Sequence, residues 1–302
     1  MKLRIDQITL LRMKKKSKKK ILITGSNGFI GFHLKRKLNV KYELFTPSKK
    51  QLNLKYKLRL KKYLNKVKPD FIINLTSSTN FKKKYEIEKS NQLNNTFLTN
   101  KNLVDTINKN CELVIFFGSI EEYGECRLPY NEKMRPKPRS LYGKYKYKAY
   151  LYTKRYMKKK KLNYIWLRPS LTFGYKDNKG RYLGSIINSL ISKKKIYLRP
   201  GNQIRDYIYV DDLCRVIELL LIANDRNFNT VLNVSAQNYV KLKSIPKKIE
   251  KFLNIKMNYV FKKNNNQIDM LNSNKKLKKL FPKFKFSNFD NSLKKIIRQE
   301  KI

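Results

Sequence analysis

Ile21-Leu22-Ile23-Thr24-Gly25-Ser26-Asn27-Gly28-Phe29-Ile30-Gly31 passes from a short apolar run through three glycines into a helix-like segment beginning at Phe32. A strand, a glycine turn and a helix in that order make a phosphate cradle. Glycine permits the tight turn and the close approach of backbone N–H groups, and the positive end of the helix dipole faces the same anion. A dinucleotide is the anion that this spacing suits. The same glycines also suit a plain tight turn under a close-packed helix, so the rest of the chain must decide.

Outward from the turn, short apolar runs recur at Tyr42-Glu43-Leu44-Phe45, Asp70-Phe71-Ile72-Ile73-Asn74-Leu75, Glu112-Leu113-Val114-Ile115-Phe116-Phe117 and Asn163-Tyr164-Ile165-Trp166-Leu167. The later intervals between them are long enough for crossover helices, and runs this apolar suit strands buried on both faces. The expectation is an α/β chain built on a doubly wound parallel sheet. Beyond Pro169 the pattern becomes irregular and rich in Lys and Asn, with helices expected at 183–194, 211–223, 241–253 and 288–300. That half reads as a smaller α/β C-terminal lobe for substrate.

The 302 residues carry 56 lysines and 15 arginines against 21 acidic residues, a formal charge of +50. Clustered cations would point to nucleic acid. Here the charge is mostly lysine and lies in nearly every segment, alongside abundant Asn and only 10 Gly. That pattern fits compositional drift better than a binding stripe, and no specific nucleic-acid partner is expected. Cys111, Cys126 and Cys214 are widely spaced, without a paired metal or redox pattern, which fits reduced thiols in the cytoplasm. No apolar run reaches the ~18 residues that span a bilayer. Residues 1–12 read as an extension before a basic run, with Met13 a candidate start.

His33 is the single histidine, so a histidine-rich metal site is excluded, no metal is expected, and any Ser-His-Asp triad would have to use it. Its place two residues after Gly31 reads as helix packing. Acid–base chemistry is left to Tyr, Lys, Ser and carboxylates. The fourth run ends in Gly118-Ser119-Ile120-Glu121-Glu122-Tyr123-Gly124, and Tyr142-Gly143-Lys144-Tyr145-Lys146 follows. Residues four apart share a helix face, so Lys146 can lie beside Tyr142 and is expected to lower the pKa of its phenol from ~10. Spacing alone does not select Tyr142, because the chain holds seven Tyr-x-x-x-Lys pairs. Context does: Pro136-Lys137-Pro138-Arg139-Ser140-Leu141 delivers Tyr142 to a helix start just after the strand that carries Ser119.

From about Lys20 to Leu220 the chain resembles the extended short-chain dehydrogenase/reductases of the NAD-dependent epimerase/dehydratase type, which act on nucleotide-activated sugars. The motifs are Thr-Gly-x-x-Gly-x-x-Gly at 24–31, Lys68 to Leu75, Ser119 before Tyr123-Gly124, Tyr142-Gly-x-x-Lys146, and Leu167-Arg168-Pro169 with Phe173-Gly174. The strongest late match is Pro200-Gly201-Asn202-Gln203-Ile204-Arg205-Asp206-Tyr207-Ile208-Tyr209-Val210-Asp211-Asp212.

The resemblance implies a Rossmann dinucleotide domain over 13–168 and a substrate lobe over 169–302, with about 204–235 returning to the Rossmann domain. It implies Ser119, Tyr142 and Lys146 as the catalytic group, with Ser119 and Tyr142 on the C4 oxygen of the hexose. Cofactor contacts are then expected from Gly25, Asn27, Gly28, Phe29, Ile30, Gly31, Ser48, Lys49, Leu75, Tyr142, Lys146 and Pro169. Substrate contacts are expected from Glu121 and from Arg205, which would approach the diphosphate. Family members often dimerise through the helices after the third and fourth strands.

The second strand leads into Thr46-Pro47-Ser48-Lys49-Lys50, with no carboxylate for a ribose 2′-hydroxyl and two lysines to meet a 2′-phosphate, which favours NADP over NAD. Three departures narrow the reaction. Ser119-Ile120-Glu121 stands where 4,6-dehydratases commonly carry Thr-Asp-Glu or Thr-Ser-Glu. Leu171 stands where many members have Asn. The 118–124 and 49–54 stretches resemble 4-keto-6-deoxyhexose reductases. The expected activity is NAD(P)-dependent reduction of a 4-keto-hexose, or 4-epimerisation. The alternatives are a 4,6-dehydratase of the same family and a non-enzymatic polyanion-binding protein on the same scaffold.

Overall fold

The structure is a computed structural model and describes residues 18–77, 86–198, 200–223, 228–263 and 268–300. The 1–12 extension and Met13 lie outside the described residues. The chain opens with β1 (Lys20–Thr24), α1 (Phe29–Leu38), β2 (Glu43–Phe45), α2 (Lys57–Val67), β3 (Phe71–Asn74), α3 (Glu86–Thr106) and β4 (Leu113–Phe117). A 3-10 turn at Ile120–Glu122 leads to α4 (Leu141–Lys160) and β5 (Tyr164–Pro169). Then come β6 (Leu171–Phe173), α5 (Tyr182–Ser192), β7 (Ile196–Leu198), β8 (Ile204–Tyr209), α6 (Val210–Ile222) and β9 (Thr230–Val234). β10 (Asn238–Lys241), α7 (Ser244–Leu253), β11 (Tyr259–Phe261), α8 (Lys275–Leu280) and α9 (Phe289–Gln299) complete it.

Six strands form one parallel sheet in the order β2-β1-β3-β4-β5-β9. Side chains alternate across a strand, so each apolar run divides between two faces. Ile21, Ile23, Phe71, Ile73, Leu113, Ile115 and Leu167 pack on one face with Leu34 and Leu38 of α1 and Leu213, Ile217 and Leu220 of α6. Leu22, Ile72, Val114, Phe116 and Trp166 pack on the other with Leu60 and Leu64 of α2, Leu103 and Val104 of α3, and Ala149 and Met157 of α4. Both faces are covered, which is why these strands read as continuous apolar runs and not as alternating ones.

The observed strands lie within a residue or two of the five apolar runs, and the four expected late helices appear as α5, α6, α7 and α9. Two small sheets have no counterpart in the sequence reading: β10-β8-β6 and β11-β7. β8 sits between β10, antiparallel to it, and β6, parallel to it. No helix among the described residues is long and apolar enough to cross a membrane. Glycine is so scarce that lysine fills left-handed helix ends, with Lys68 at φ 48°, Lys161 at φ 54° and Lys193 at φ 52°.

Candidate active site

β1, β3, β4 and β5 are parallel neighbours, so their carboxyl ends share one edge of the sheet, and the segment leaving β3 lies against the glycine turn. Gly25 holds φ +72°, and a Cβ there would stand 2.9 Å from the Leu75 carbonyl carbon. Leu75 follows β3 and donates its N–H to the Thr24 carbonyl at 3.0 Å. A Cβ on Gly31 would stand 2.5 Å from the Ser26 carbonyl oxygen, a backbone clash, whereas one on Gly28 would meet only the Gly25 oxygen at 3.3 Å. Gly31 thus packs α1 onto the turn, and Gly28 caps α1 without a side-chain hydrogen bond.

The first-turn N–H groups of a helix have no intrahelical partner, so the open space at Gly28 sits where an anion would be held. Gly25, Asn27 and Gly28 are exposed at the crest, while Phe29 and Ile30 are half-buried and pack toward the core. Gly31→Val is expected to destabilise the fold by about 1–3 kcal/mol through overpacking. Gly28→Val should fold normally and lose dinucleotide binding; denaturation curves and a dinucleotide titration on both variants check this.

After β2, Ser48 and Gln51 close a small turn, Ser48 N–H donating to Gln51 Oε1 at 2.8 Å, and Lys49 and Lys50 are exposed. The Ser26 hydroxyl donates to the Thr46 carbonyl at 3.3 Å, tying this segment to the glycine turn.

Ser119 leaves β4 as the N-cap of the 3-10 turn. Its hydroxyl oxygen accepts the Glu121 N–H at 3.2 Å, and its own N–H donates to Glu122 Oε1 at 2.8 Å. With an acceptor lone pair thus used, the Ser119 O–H remains available as a donor. Ser140 caps α4, its oxygen accepting the Gly143 N–H at 3.0 Å. A Cβ on Gly143 would stand 2.4 Å from the Glu121 oxygen. Gly143 therefore lets the start of α4, with Tyr142, seat on the turn that carries Ser119.

One helical turn on, buried Lys146 donates from Nζ to the Phe117 carbonyl at 2.7 Å, and Nζ lies 5.8 Å from the Tyr142 ring centroid. Burial lowers Lys146 to about 8, against the pull of Glu122. Its folded value lies below the ordinary 10.5, so its charge opposes folding below about pH 8. That cost is relieved as pH rises from about 8 toward 10.5.

The phenol departs from expectation. Crowding pushes Tyr142 up to about 12, with Glu121 and Glu122 adding to the rise and the Ser77 hydroxyl and Arg181 opposing it. Lys146 does not lower the Tyr142 phenol here: desolvation wins, and the ammonium is directed to a backbone carbonyl.

Glu121, expected at the substrate, is tied down: its Oε2 accepts the Ser140 hydroxyl at 2.6 Å. Glu122 is completely buried. It accepts from Trp166 Nε1 at 3.0 Å and Arg168 Nε at 2.8 Å, and Arg168 Nη2 lies 2.8 Å from Oε2. The Arg168 guanidinium lies over Tyr123 at 4.6 Å and Tyr150 at 5.2 Å. A signal for Glu122 was present, because Ser-x-x-Glu is the capping-box pattern, and the box forms here between Ser119 and Glu122.

Arg205 on β8 donates from Nη1 to the carbonyls of Ile204 at 3.1 Å and Ile268 at 2.5 Å, within electrostatic reach of Glu121. Next to it, buried Asp206 accepts from the Ser170 and Ser235 hydroxyls at 2.5 and 2.6 Å. Pro169 ends β5, half-buried. Arg181, which the sequence reading missed, precedes α5, donates to the Thr172 carbonyl at 2.7 Å, and bears on the phenol. His33 packs between the Tyr175 carbonyl at 2.8 Å and Asp211 Oδ1 at 3.4 Å, away from this chemistry.

Residues 21–235 match the profile of the NAD dependent epimerase/dehydratase family. The dTDP-D-glucose 4,6-dehydratase of Dictyostelium discoideum is 27% identical over 72% of this chain and 59% of its own length, so the chain spans less than two thirds of that relative. The GDP-6-deoxy-D-talose 4-dehydrogenase of Aggregatibacter actinomycetemcomitans is 29% identical over 67% of this chain and 70% of its own. Among solved structures, the fold is similar to UDP-glucuronic acid 4-epimerase from Bacillus cereus in complex with UDP-glucuronic acid and NAD, with a TM-score of 0.80, 18% identity, and coverage of 93% and 99% of the two chains. It is equally similar to GDP-mannoheptose C4 reductase from Campylobacter jejuni with NADP bound, with a TM-score of 0.80, 18% identity, and coverage of 94% and 99%.

Proposed function

We propose that this chain, which belongs to the NAD dependent epimerase/dehydratase family, is a nucleotide-sugar oxidoreductase that interconverts a ketone and an alcohol at C4 of the hexose, with NADP as its preferred coenzyme. The observation that carries this reading is the seating of the Tyr142–Lys146 helix start on the turn that bears Ser119, beside a glycine cradle shaped for a pyrophosphate.

Gly28 fits a dinucleotide because a side chain there would enter the open space of the cradle, whereas Gly25 and Gly31 close-pack the turn against Leu75 and Ser26. Gly28 and the start of α1 would hold its phosphates, and Lys146 its nicotinamide ribose. The coenzyme supplies hydride exchange with the C4 carbon. The Ser119 O–H donates to the C4 oxygen and orients it. Tyr142 delivers its phenolic proton to that oxygen during ketone reduction and takes it back during oxidation, so hydride and proton together make the alcohol. Arg205 and Arg181 supply positive charge on the substrate side, where a diphosphate would be favoured.

Glu121 and Ile120 support reduction over dehydration. Elimination of water from the sugar needs further acid–base groups. Ile120 offers none and is buried against Tyr123 and Tyr130, while Glu121 is held by Ser140. Three unpaired cysteines, Cys111, Cys126 and Cys214, support a reducing, cytoplasmic setting.

The test is incubation with GDP-6-deoxy-D-talose and either oxidised coenzyme, read as the absorbance of reduced nicotinamide. Net coenzyme reduction is expected, with NADP+ favoured over NAD+ by about 10-fold in kcat/KM, or ~1.4 kcal/mol, at physiological salt. Lys49→Ala with Lys50→Ala should narrow that ratio. A dehydratase or an epimerase would convert GDP-, dTDP- or UDP-hexoses without net coenzyme change, and either result would replace this reading.

A further inference from the structure

We propose that Asp206 is a positioning residue for Arg205, resting on the reading that Arg205 faces the substrate diphosphate: the buried Asp206 carboxyl anchors the 268–274 segment, and that segment holds the guanidinium in place. Side chains alternate along a strand, so Arg205 and its neighbour Asp206 leave β8 on opposite faces. Each is tied to the 268–274 segment from its own side.

On the Asp206 side the contacts are buried. A carboxyl taken out of water is costly unless it is hydrogen-bonded, so the groups that its bonds join show what it does. Asp206 is completely enclosed, and its Oδ2 accepts from the Ser170 hydroxyl, between β5 and β6, at 2.5 Å and from the Ser235 hydroxyl, just past β9, at 2.6 Å. Ser170 Oγ in turn accepts from Asn272 Nδ2 at 3.0 Å. Asn272 Nδ2 also donates to the Arg168 carbonyl at 3.3 Å, and the Asn272 carbonyl accepts from the Tyr239 hydroxyl of β10 at 2.9 Å. Asn274 Nδ2 donates to the Ser235 carbonyl at 3.0 Å. The far end of the segment is thus fixed to β5, β9 and β10 around one carboxyl.

Backbone bonds lay the near end along β8. The Met270 N–H donates to the Ile204 carbonyl at 3.2 Å, and the Asp206 N–H donates to the Met270 carbonyl at 3.1 Å. Asp269 Oδ1 accepts from the Ile204 N–H at 2.6 Å. Arg205 Nη1 donates to the Ile268 carbonyl at 2.5 Å and to the carbonyl of its own neighbour Ile204 at 3.1 Å. Ile268 is therefore the contact from outside the strand that orients the guanidinium, and its place depends on the Asn272 anchor further along. With Nη1 spent on these carbonyls, Nε and Nη2 are left for an anion. A charge-assisted hydrogen bond to phosphate is worth roughly 10- to 100-fold in affinity, so a displaced guanidinium should weaken diphosphate binding on that scale.

The test is a double-mutant cycle read by calorimetric titration of GDP, UDP and dTDP at physiological salt. Arg205→Ala and Asp206→Ala are each expected to weaken binding by that factor, and the double variant no further, because Asp206 acts through Arg205. Asp206→Asn, which keeps an acceptor for both serines, should bind as the unaltered protein does. Amide exchange is followed in parallel: Asp206→Ala should speed exchange over 268–274 and leave β1 to β5 protected. Should Asp206→Ala fail to fold, Ser170→Ala carries the same test, since it cuts the link between Asp206 and Asn272. Losses that add in the double variant, or unaltered exchange over 268–274, overturn the role of Asp206. Faster exchange there, in a protein whose diphosphate affinity Arg205→Ala leaves unchanged, upholds the anchor and overturns the substrate-side reading of Arg205 instead.

Discussion

Tyr142→Phe is expected to lower turnover by roughly 100- to 10,000-fold, the range that a positioned acid–base group contributes, while leaving coenzyme affinity near that of the unaltered protein. Only one hydroxyl is removed, and the ring that fills the space before Lys146 stays. Lys146→Ala should impair both turnover and coenzyme binding, because it removes the cation held by the Phe117 carbonyl at the base of the site. Tyr150→Phe and Tyr156→Phe serve as controls from pairs of the same spacing. Tyr150 lies against Trp166 at 5.5 Å and Tyr156 stacks on Tyr152 at 4.2 Å. Steady-state kinetics and coenzyme titration on the four variants decide the matter. Near-normal turnover in Tyr142→Phe would assign the proton transfer to another group.

Glu122→Ala is expected to cost about 3–5 kcal/mol of stability, because it leaves the Arg168 guanidinium buried without its counter-charge. Side-chain exposures of 1% for Arg168 and 0% for Glu122 place this pair in the interior. The same deletion strips acceptors from Trp166 Nε1 and the Ser119 N–H. Glu112→Ala is the contrast: its partner Lys19 and Glu112 itself are about half exposed, and surface pairs contribute only ~0–1 kcal/mol. Urea denaturation of both variants measures the difference. Equal losses would mean that the buried carboxylate does no more for the fold than a solvated one.

Much of the main sheet was legible because a strand buried on both faces must be apolar throughout, and Ile21-Leu22-Ile23 or Leu113 to Phe117 cannot be mistaken for a solvated segment. The glycine turn was legible for a related reason, since few residues other than glycine accept the conformation of Gly25 or the contact at Gly31. Arg181 was not picked out, because an arginine is ordinary at any surface position and gains meaning only from the neighbour that tertiary packing brings to it; the Ser-x-x-Glu spacing marked Glu122 as a cap, but its pairing with Arg168 depends on that packing. The β10-β8-β6 sheet escaped for the same reason, being assembled from short segments far apart in the chain. The Tyr142 phenol was expected to fall and instead rises. Spacing placed a lysine nearby, but the balance between its charge and desolvation depends on enclosure that spacing does not encode.

β9 closes the parallel sheet from far along the chain, pairing with β5 only after β6, α5, β7, β8 and α6 have intervened. During synthesis, the strands β1 to β5 leave the ribosome with the β5 edge still open, its N–H and C=O groups unpaired beside Trp166 and Leu167. At ~5–20 residues per second, the interval before Val234 emerges is on the order of several seconds. For that time the newborn chain is a sheet with a sticky margin, the kind of surface that recruits a second strand from any neighbour. A translational stop in this interval yields a fragment prone to pair with its own copies.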